Sequence, residues 1–220
     1  MPDREATVAR MCDKGIVAVV RAQSSEQLND VARALLDGGV DCIEITMTTP
    51  NALQVIADCR KTLGDSALIG VGSVLDGKTA KDAIAAGTQY IVSPVFVPEI
   101  IDVAHEAGMP CVPGAFTPTE ILAATNAGAD LVKVFPGGSV GPKYFKAVLA
   151  PMPHLKLTPT GGVDLDTAAD WIAAGAQTLG VGSALVTKKA LASGNMEEIR
   201  ALASQYVKIV AEARAAKAGK

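Results

Sequence analysis

One pattern limits the fold of this chain more than any other: short apolar or β-branched runs alternate with Ala-rich amphipathic segments. Eight runs are interpreted as strands, over residues 16–21, 42–46, 67–72, 90–93, 109–112, 131–135, 156–158 and 178–182. The intervening segments have apolar residues at helical spacing, and several end at a glycine suited to a helix C-terminus. Strands that alternate with helices pair in parallel through right-handed crossovers. Eight such units predict an α/β fold, a single (β/α)8 TIM barrel; an open doubly wound sheet is the alternative.

Length and composition fit one globular domain. The chain has 220 residues, 49% of them hydrophobic and 20% charged, with no linker or low-complexity block. We expect a single domain over 1–220, with the barrel core at about 15–186 and a terminal helix at about 196–217.

Several classes of protein are not expected. The net charge is −3 and the sequence contains no block of basic residues, which argues against a nucleic-acid partner. No apolar run is long enough for a membrane span, and the polar N-terminus lacks a signal-peptide core. The spacing of Cys12, Cys42, Cys59 and Cys111 matches no zinc motif, so we expect a metal-free cytoplasmic protein with reduced thiols.

Three charged residues fall near the C-terminal ends of predicted strands, the end where barrel active sites lie. Because strand side chains alternate between two faces, Arg21, Glu44 and Lys133 are all predicted to point inward. An ionised side chain inside a barrel is costly unless it is paired or used in chemistry. These three residues are therefore the first candidates for function.

Lys133 has the setting of a reactive amine. It stands among Leu, Val and Phe residues, and apolar surroundings favour a neutral amine, which can attack a carbonyl and form a Schiff base. Glu44 could move protons beside it, directly or through water. Two alternatives stay open: the pair could only seal the barrel, or Glu44 could serve as the counter-ion of Arg21. Lys156 is the rival lysine, but it lies toward the opposite end of its strand.

Glycine junctions after the last two strands are typical of phosphate sites, where backbone N–H groups meet the anion. The candidate residues are Thr160, Gly161, Gly162, Gly182 and Ser183. A third junction, after the third strand, offers Ser73.

Four other residues are interpreted as structural. His105 and His154 are expected on the surface, Trp171 is expected to pack in the core, and Cys42 is expected to fill space beside Glu44.

Seven motifs, in order along the chain, together resemble the bacterial 2-keto-3-deoxy-6-phosphogluconate (KDPG) and 4-hydroxy-2-oxoglutarate (KHG) aldolases. They are Glu44-Ile-Thr, Gly70-Val-Gly-Ser-Val, Ile91-Val-Ser-Pro, Val112-Pro-Gly-Ala-Phe-Thr-Pro-Thr-Glu, Val132-Lys-Val-Phe-Pro, Pro159-Thr-Gly-Gly-Val and Gly180-Val-Gly-Ser-Ala-Leu. The resemblance implies a (β/α)8 barrel and a class I retro-aldol cleavage, without metal or cofactor, that yields pyruvate and glyceraldehyde 3-phosphate. It also implies a homotrimer.

The resemblance assigns roles to single residues. Lys133 corresponds to the Schiff-base lysine and Glu44 to the proton-shuttling glutamate. Ser73 stands where the family has a threonine that holds the pyruvate carboxylate. Pro94 and Phe135 would line the pyruvyl end of the site. The residues that would bind the phosphate are Thr160, Gly161, Gly162, Gly182 and Ser183.

One position departs from the family pattern. Thr48 stands where many members have an arginine that binds the substrate carboxylate, and Arg21 could supply that charge from the neighbouring strand. The departure leaves the substrate open among the gluconate, its C4 epimer 2-keto-3-deoxy-6-phosphogalactonate (KDPGal) and 4-hydroxy-2-oxoglutarate. Two other functions remain: a phosphate-binding barrel isomerase or synthase with Glu44 as base, and a non-catalytic sugar-phosphate or keto-acid binding protein.

Overall fold

The computed structural model describes residues 3–21 and 25–219, in which helices and strands alternate as the sequence pattern predicts. The strand segments are β1 (Ile16–Val20), β2 (Cys42–Thr46), β3 (Leu68–Gly72), β4 (Ile91–Val92), β5 (Cys111–Val112), β6 (Gly114–Ala115), β7 (Val132–Val134), β8 (Leu157–Pro159) and β9 (Leu179–Val181). The helices are α1 (Arg4–Lys14), α2 (Ser25–Asp37), α3 (Ala52–Leu63), α4 (Gly77–Ala85), α5 (Pro98–Glu106), α6 (Pro118–Asn126), α7 (Pro142–Leu149), α8 (Ala168–Ala173), α9 (Lys188–Ser193) and α10 (Met196–Ala218).

The strands follow one another around a ring, all in parallel. One sheet has the order β5-β4-β3-β2-β1-β9 and a second has the order β6-β7-β8. An isolated parallel bridge between Thr160 and Gly180 joins β8 to β9, and β5 and β6 are two halves of one strand interrupted at Pro113. This ring of eight strands is the predicted (β/α)8 barrel.

Pro113 makes the fifth strand differ from its predicted span of 109–112. A proline has no N–H to donate to a neighbouring strand, so regular pairing stops there. The Pro113 carbonyl still accepts from Lys133 N (2.9 Å), and Gly114 N donates to Val95 O (3.2 Å). The strand therefore resumes and positions β7.

Two apolar clusters confirm the predicted alternation of strand faces. The cluster inside the barrel contains Met11, Val17, Cys42, Leu68, Tyr90, Val92, Val112 and Leu131. The cluster between sheet and helices contains the alternate strand residues, among them Ile16, Ala18, Val20, Ile43, Ile45, Val132 and Val134. The barrel is thus filled with side chains below the level of the charged residues.

Two helices were not predicted. Helix α1 begins after Asp3, whose carboxylate accepts from Ala6 N (3.1 Å), and it places the side chain of Met11, 1% exposed, in the inner cluster. Helix α9 begins after Thr187, whose hydroxyl accepts from Ala190 N (3.0 Å). The terminal helix, predicted over 196–217, is confirmed as α10.

Other sequence expectations can be compared directly. Trp171 is buried edge-on against Phe145, with ring centroids 4.8 Å apart, and is a packing residue as predicted. His154 is exposed. His105, expected on the surface, is half-buried because its ring bonds to the carboxylate of Asp130 (3.1 Å). All four cysteines are free thiols. Within residues 3–21 and 25–219, no helix has both the length and the hydropathy to cross a bilayer.

Candidate active site

Lys133 lies in the middle of β7 with its side chain directed into the barrel. Its register partners are Gly114 on β6 and Thr158 on β8. The residue is 5% exposed, and its outward neighbours Val132 and Val134 are buried against the helices. The predicted inward position of this lysine is therefore confirmed.

Glu44 lies on β2 in the same interior and is 2% exposed. Its register partners are Val19 and Gly70. Gly72 lies close by, and a Cβ added there would collide with Glu44 Oε1. The strand glycine thus makes room for the carboxylate, a role that the sequence pattern alone did not reveal.

Lys133 Nζ and Glu44 Oε1 are 4.0 Å apart. That separation is longer than a hydrogen bond, and Glu44 Oε1 has no hydrogen-bond partner among the described residues. A buried carboxylate oxygen is costly when it has no partner. The geometry leaves Oε1 available to a hydroxyl or a water between the two groups.

Two threonines, which the sequence analysis missed, line the interior beside this pair. The Thr178 hydroxyl donates to Thr158 Oγ1 (2.8 Å), and Thr158 Oγ1 donates to Thr178 O (3.1 Å). With Lys133, Glu44 and Thr160 they line a space of only about 10 Å³, roughly one water. The interior below Lys133 is therefore packed, and a substrate must approach from the open end of the barrel.

Phe135 links the lysine to that open end. Its ring lies 5.3 Å from Lys133 Nζ and is 40% exposed. The following peptide bond, to Pro136, is cis. Beyond it, the N–H groups of Gly137 and Gly138 donate to Thr160 O (2.8 Å) and Gly161 O (2.7 Å). These bonds tie the loop after β7 to the loop after β8.

The glycine junctions predicted to bind phosphate do meet at one cleft of about 290 Å³. Gly161 and Gly162 have φ of 81° and 73°, a left-handed conformation that favours glycine. The cleft is lined by these glycines together with Arg21, Phe135, Thr160, Asp164, Gly182 and Ser183. The structure thus gathers the predicted phosphate residues beside Phe135, and it adds Asp164, which sequence reasoning did not single out.

Three predicted residues follow other strands at the same end of the barrel. Thr48 is exposed, and its hydroxyl is 2.7 Å from that of Thr46. Ser73 is half-buried with φ of 62°, which for a residue other than glycine marks a constrained turn. Pro94 is half-buried, with its carbonyl against Gly114. Their roles toward a substrate stay predictions.

The alternative reactive groups do not share this cleft. Burial and the neighbouring Asp41 carboxylate raise the pKa of the Cys42 thiol well above its ordinary value, which supports its interpretation as a core residue. Lys156 is exposed at the start of β8, where it lines a surface depression with Arg4 and His154. That position is at the opposite end of the strand from the glycine junction.

A parallel barrel with a buried lysine beside a buried glutamate, below an open cleft, has the arrangement expected of an enzyme. The family model for KDPG and KHG aldolases matches residues 8–202. The chain therefore belongs to the KDPG and KHG aldolase family, and it is a carbon–carbon lyase.

Individual relatives support this assignment. The chain is 35% identical over 196 residues to 2-dehydro-3-deoxy-phosphogluconate aldolase of Treponema pallidum, covering 89% of this chain and 93% of that protein. It is 34% identical over 199 residues to 2-dehydro-3-deoxy-6-phosphogalactonate aldolase of Escherichia coli, covering 90% and 95%.

Solved structures agree with the fold. A native KDPGal structure superposes with a TM-score of 0.85 at 33% identity, covering 91% of this chain and 96% of that one. The KDPG aldolase of Legionella pneumophila superposes with a TM-score of 0.84 at 26% identity, covering 90% and 96%. In that structure pyruvate is captured as a covalent carbinolamine intermediate.

Proposed function

We propose that this chain cleaves 2-keto-3-deoxy-6-phosphogluconate to pyruvate and glyceraldehyde 3-phosphate, with Lys133 as the Schiff-base lysine. The observation that carries the proposal is the buried pair of Lys133 and Glu44, 4.0 Å apart, next to a cleft lined by the glycine junctions. The carbinolamine of the Legionella relative supplies the chemical precedent.

The first half of the reaction builds an electron sink. The neutral amine of Lys133 attacks the C2 ketone carbon to give a carbinolamine, and loss of water gives an iminium. Because the iminium carries positive charge next to C3, it can accept the electron pair of the C3–C4 bond.

The second half uses Glu44 as a proton carrier. Its carboxylate takes the proton of the C4 hydroxyl, through a water, and the C3–C4 bond breaks to release glyceraldehyde 3-phosphate. The electron pair forms an enamine on Lys133. Glu44 then returns the proton to C3, and water hydrolyses the imine to free pyruvate and the amine.

The remaining residues would hold the two ends of the substrate. We assign Arg21 and Ser73 to the pyruvyl carboxylate, since Thr48 cannot supply the family's arginine charge, and Pro94 and Phe135 to the wall of the pyruvyl end. Thr160, Gly161, Gly162, Gly182 and Ser183 would bind the phosphate through backbone N–H and hydroxyl groups.

KDPGal is a second candidate substrate, because two relatives of almost equal identity carry different names. One is named a phosphogluconate aldolase and the other a phosphogalactonate aldolase. KDPG and KDPGal differ only in the configuration at C4 and would give the same products. 4-Hydroxy-2-oxoglutarate, which would give pyruvate and glyoxylate, is the third candidate.

The test is a coupled pyruvate-release assay on the three compounds, with Lys133→Ala as the inactive control. We expect kcat/KM to be highest for KDPG. A clear preference for KDPGal would make that compound the substrate and would leave the proposed mechanism unchanged. Absence of pyruvate from all three would overturn the proposed function.

We further propose a cytoplasmic homotrimer. Free thiols at all four cysteines suit a reducing compartment. Exposed apolar side chains at Leu75, Val95, Phe116 and Leu122 offer surface for subunit contacts. Light scattering coupled to size exclusion should give three times the 22.5 kDa chain mass, and a monomer mass would refute the assembly.

A further inference from the structure

We propose that Lys188 is a specificity residue that binds the substrate's phosphate from a second cavity beside the cleft. This inference rests on the proposed function, since it names the charge that selects the phosphorylated substrate. None of the family motifs identified in the sequence includes this lysine.

The second cavity adjoins the first. It measures about 350 Å³ and is lined by Val19, Arg21, Ser183 and Lys188, together with residues of α2 and α9. Val19, Arg21 and Ser183 also line the glycine cleft. The two cavities therefore share a wall at Ser183, one of the residues proposed to bind phosphate. A lysine with a flexible four-carbon stem can reach across such a wall.

The residues around the cleft leave a bound phosphate without a positively charged partner. The proposed phosphate residues Thr160, Gly161, Gly162, Gly182 and Ser183 are all neutral, and Asp164 adds a negative charge to the lining. Among the described residues that line this cleft, Arg21 is the one cation, and the proposed function assigns it to the carboxylate at the other end of the substrate. A phosphate dianion would then face a carboxylate with no positive charge of its own, unless Lys188 provides one.

Lys188 is available for this role. Among the described residues, no carboxylate lies within ion-pair distance of its ammonium group. Its backbone is well supported: the hydroxyl of the preceding Thr187 accepts from Ala190 N and donates to Glu198 Oε1 (2.9 Å). The next residue, Lys189, is also exposed but does not line the cavity. It is a matched control for loss of one positive charge.

The first test compares Lys188→Ala with Lys189→Ala on KDPG and on 2-keto-3-deoxygluconate, which lacks only the phosphate. A charge-assisted contact to an anion is expected to contribute about tenfold or more in affinity. We therefore expect Lys188→Ala to lower kcat/KM for KDPG by about tenfold, mainly through KM, with little change for the unphosphorylated sugar acid. Lys188→Arg should restore most of the loss. Equal, small effects of the two alanine variants would overturn the proposal.

The second test does not depend on turnover. Calorimetric titration with glyceraldehyde 3-phosphate should show binding weakened by Lys188→Ala and unchanged by Lys189→Ala. If wild-type protein binds this ligand but cleaves no substrate, the proposed function fails while the role of Lys188 stands. If both variants bind as the wild type does, Lys188 is not a phosphate residue. Circular dichroism should show both variants folded, because both lysines are exposed.

Discussion

At the scale of single residues, the proposed mechanism depends on one carboxylate oxygen of Glu44. Its Oε1 atom is buried and has no hydrogen-bond partner among the described residues, yet it lies 4.0 Å from the amine of Lys133. An acid–base group is effective when it is close to the reacting atoms and free to exchange a proton. The proposed mechanism therefore places its two functions on different strands, the nucleophile on β7 and the proton carrier on β2.

Replacing Glu44 by Gln should separate imine formation from bond cleavage. The amide has nearly the same size but cannot take the C4 hydroxyl proton, so we expect kcat to fall by about 10²-fold or more. Pyruvate should still be trapped on Lys133 by borohydride, because the amine remains. Steady-state kinetics measures the loss of bond cleavage, and mass spectrometry detects the trapped pyruvate. An unchanged kcat would remove Glu44 from the mechanism.

Gly72→Ala should disturb the same carboxylate without altering its chemistry. The added Cβ would collide with Glu44 Oε1, so the side chain must shift and activity should fall by about tenfold or more, as small misplacements of catalytic groups do. Gly219→Ala, where the added carbon meets only Ala215 O at 3.8 Å, should leave activity unchanged. Equal activity of the two variants would show that the position of the Glu44 carboxylate is not critical.

At the scale of secondary structure, local sequence signals determine where elements begin and end. Helix α6 has a capping box: Thr117 Oγ1 accepts from Glu120 N (3.3 Å), and the Glu120 carboxylate accepts from Thr117 N (2.7 Å). The hydrogen bonds from the backbone N–H groups of Thr117 and Phe116 lower the pKa of Glu120. The cap also positions the loop that follows β6.

Thr117→Ala should destabilise the fold by about 1 kcal/mol, the usual cost of losing an N-cap side chain. Thr119→Ala, two residues into the same helix and also exposed, should cost less. Urea denaturation measures both free energies of unfolding. A smaller loss for Thr117→Ala than for Thr119→Ala would mean that the cap does not stabilise this helix.

Much at this scale could be predicted from sequence, and the exceptions have physical reasons. Lys133 and Glu44 were placed inward because strand side chains alternate strictly between two faces. Helix α1 was missed because its polar sequence offers few apolar residues, of which Met11 fills the barrel through tertiary contact. The threonine pair at 158 and 178 and the space left at Gly72 depend on strands far apart in sequence. No local pattern reports them.

At the scale of the whole molecule, the barrel interior is filled by side chains that fit each other across strands. Tyr90 is fully buried, and a Cβ added at Gly70 would fall on its ring. The small residue on β3 and the large one preceding β4 therefore occupy one space. Such complementarity closes the barrel beneath Lys133 and Glu44 and keeps both side chains toward its open end.

Gly70→Ala should overpack this interior and cost about 1–3 kcal/mol of stability. Adding Tyr90→Leu should relieve the collision, so the double variant should be more stable than the sum of the single changes predicts. Urea unfolding of the four proteins in the cycle gives the coupling energy. Simple additivity would show that the two residues do not share space.

The most direct test of the account is to reduce the protein with borohydride in the presence of pyruvate and map the product by peptide mass spectrometry. The mechanism predicts one three-carbon adduct per chain, on Lys133, and no adduct in Lys133→Ala, which should also lack turnover. An adduct on Lys156, or none on the wild-type protein, would contradict the assignment of the buried lysine as the nucleophile.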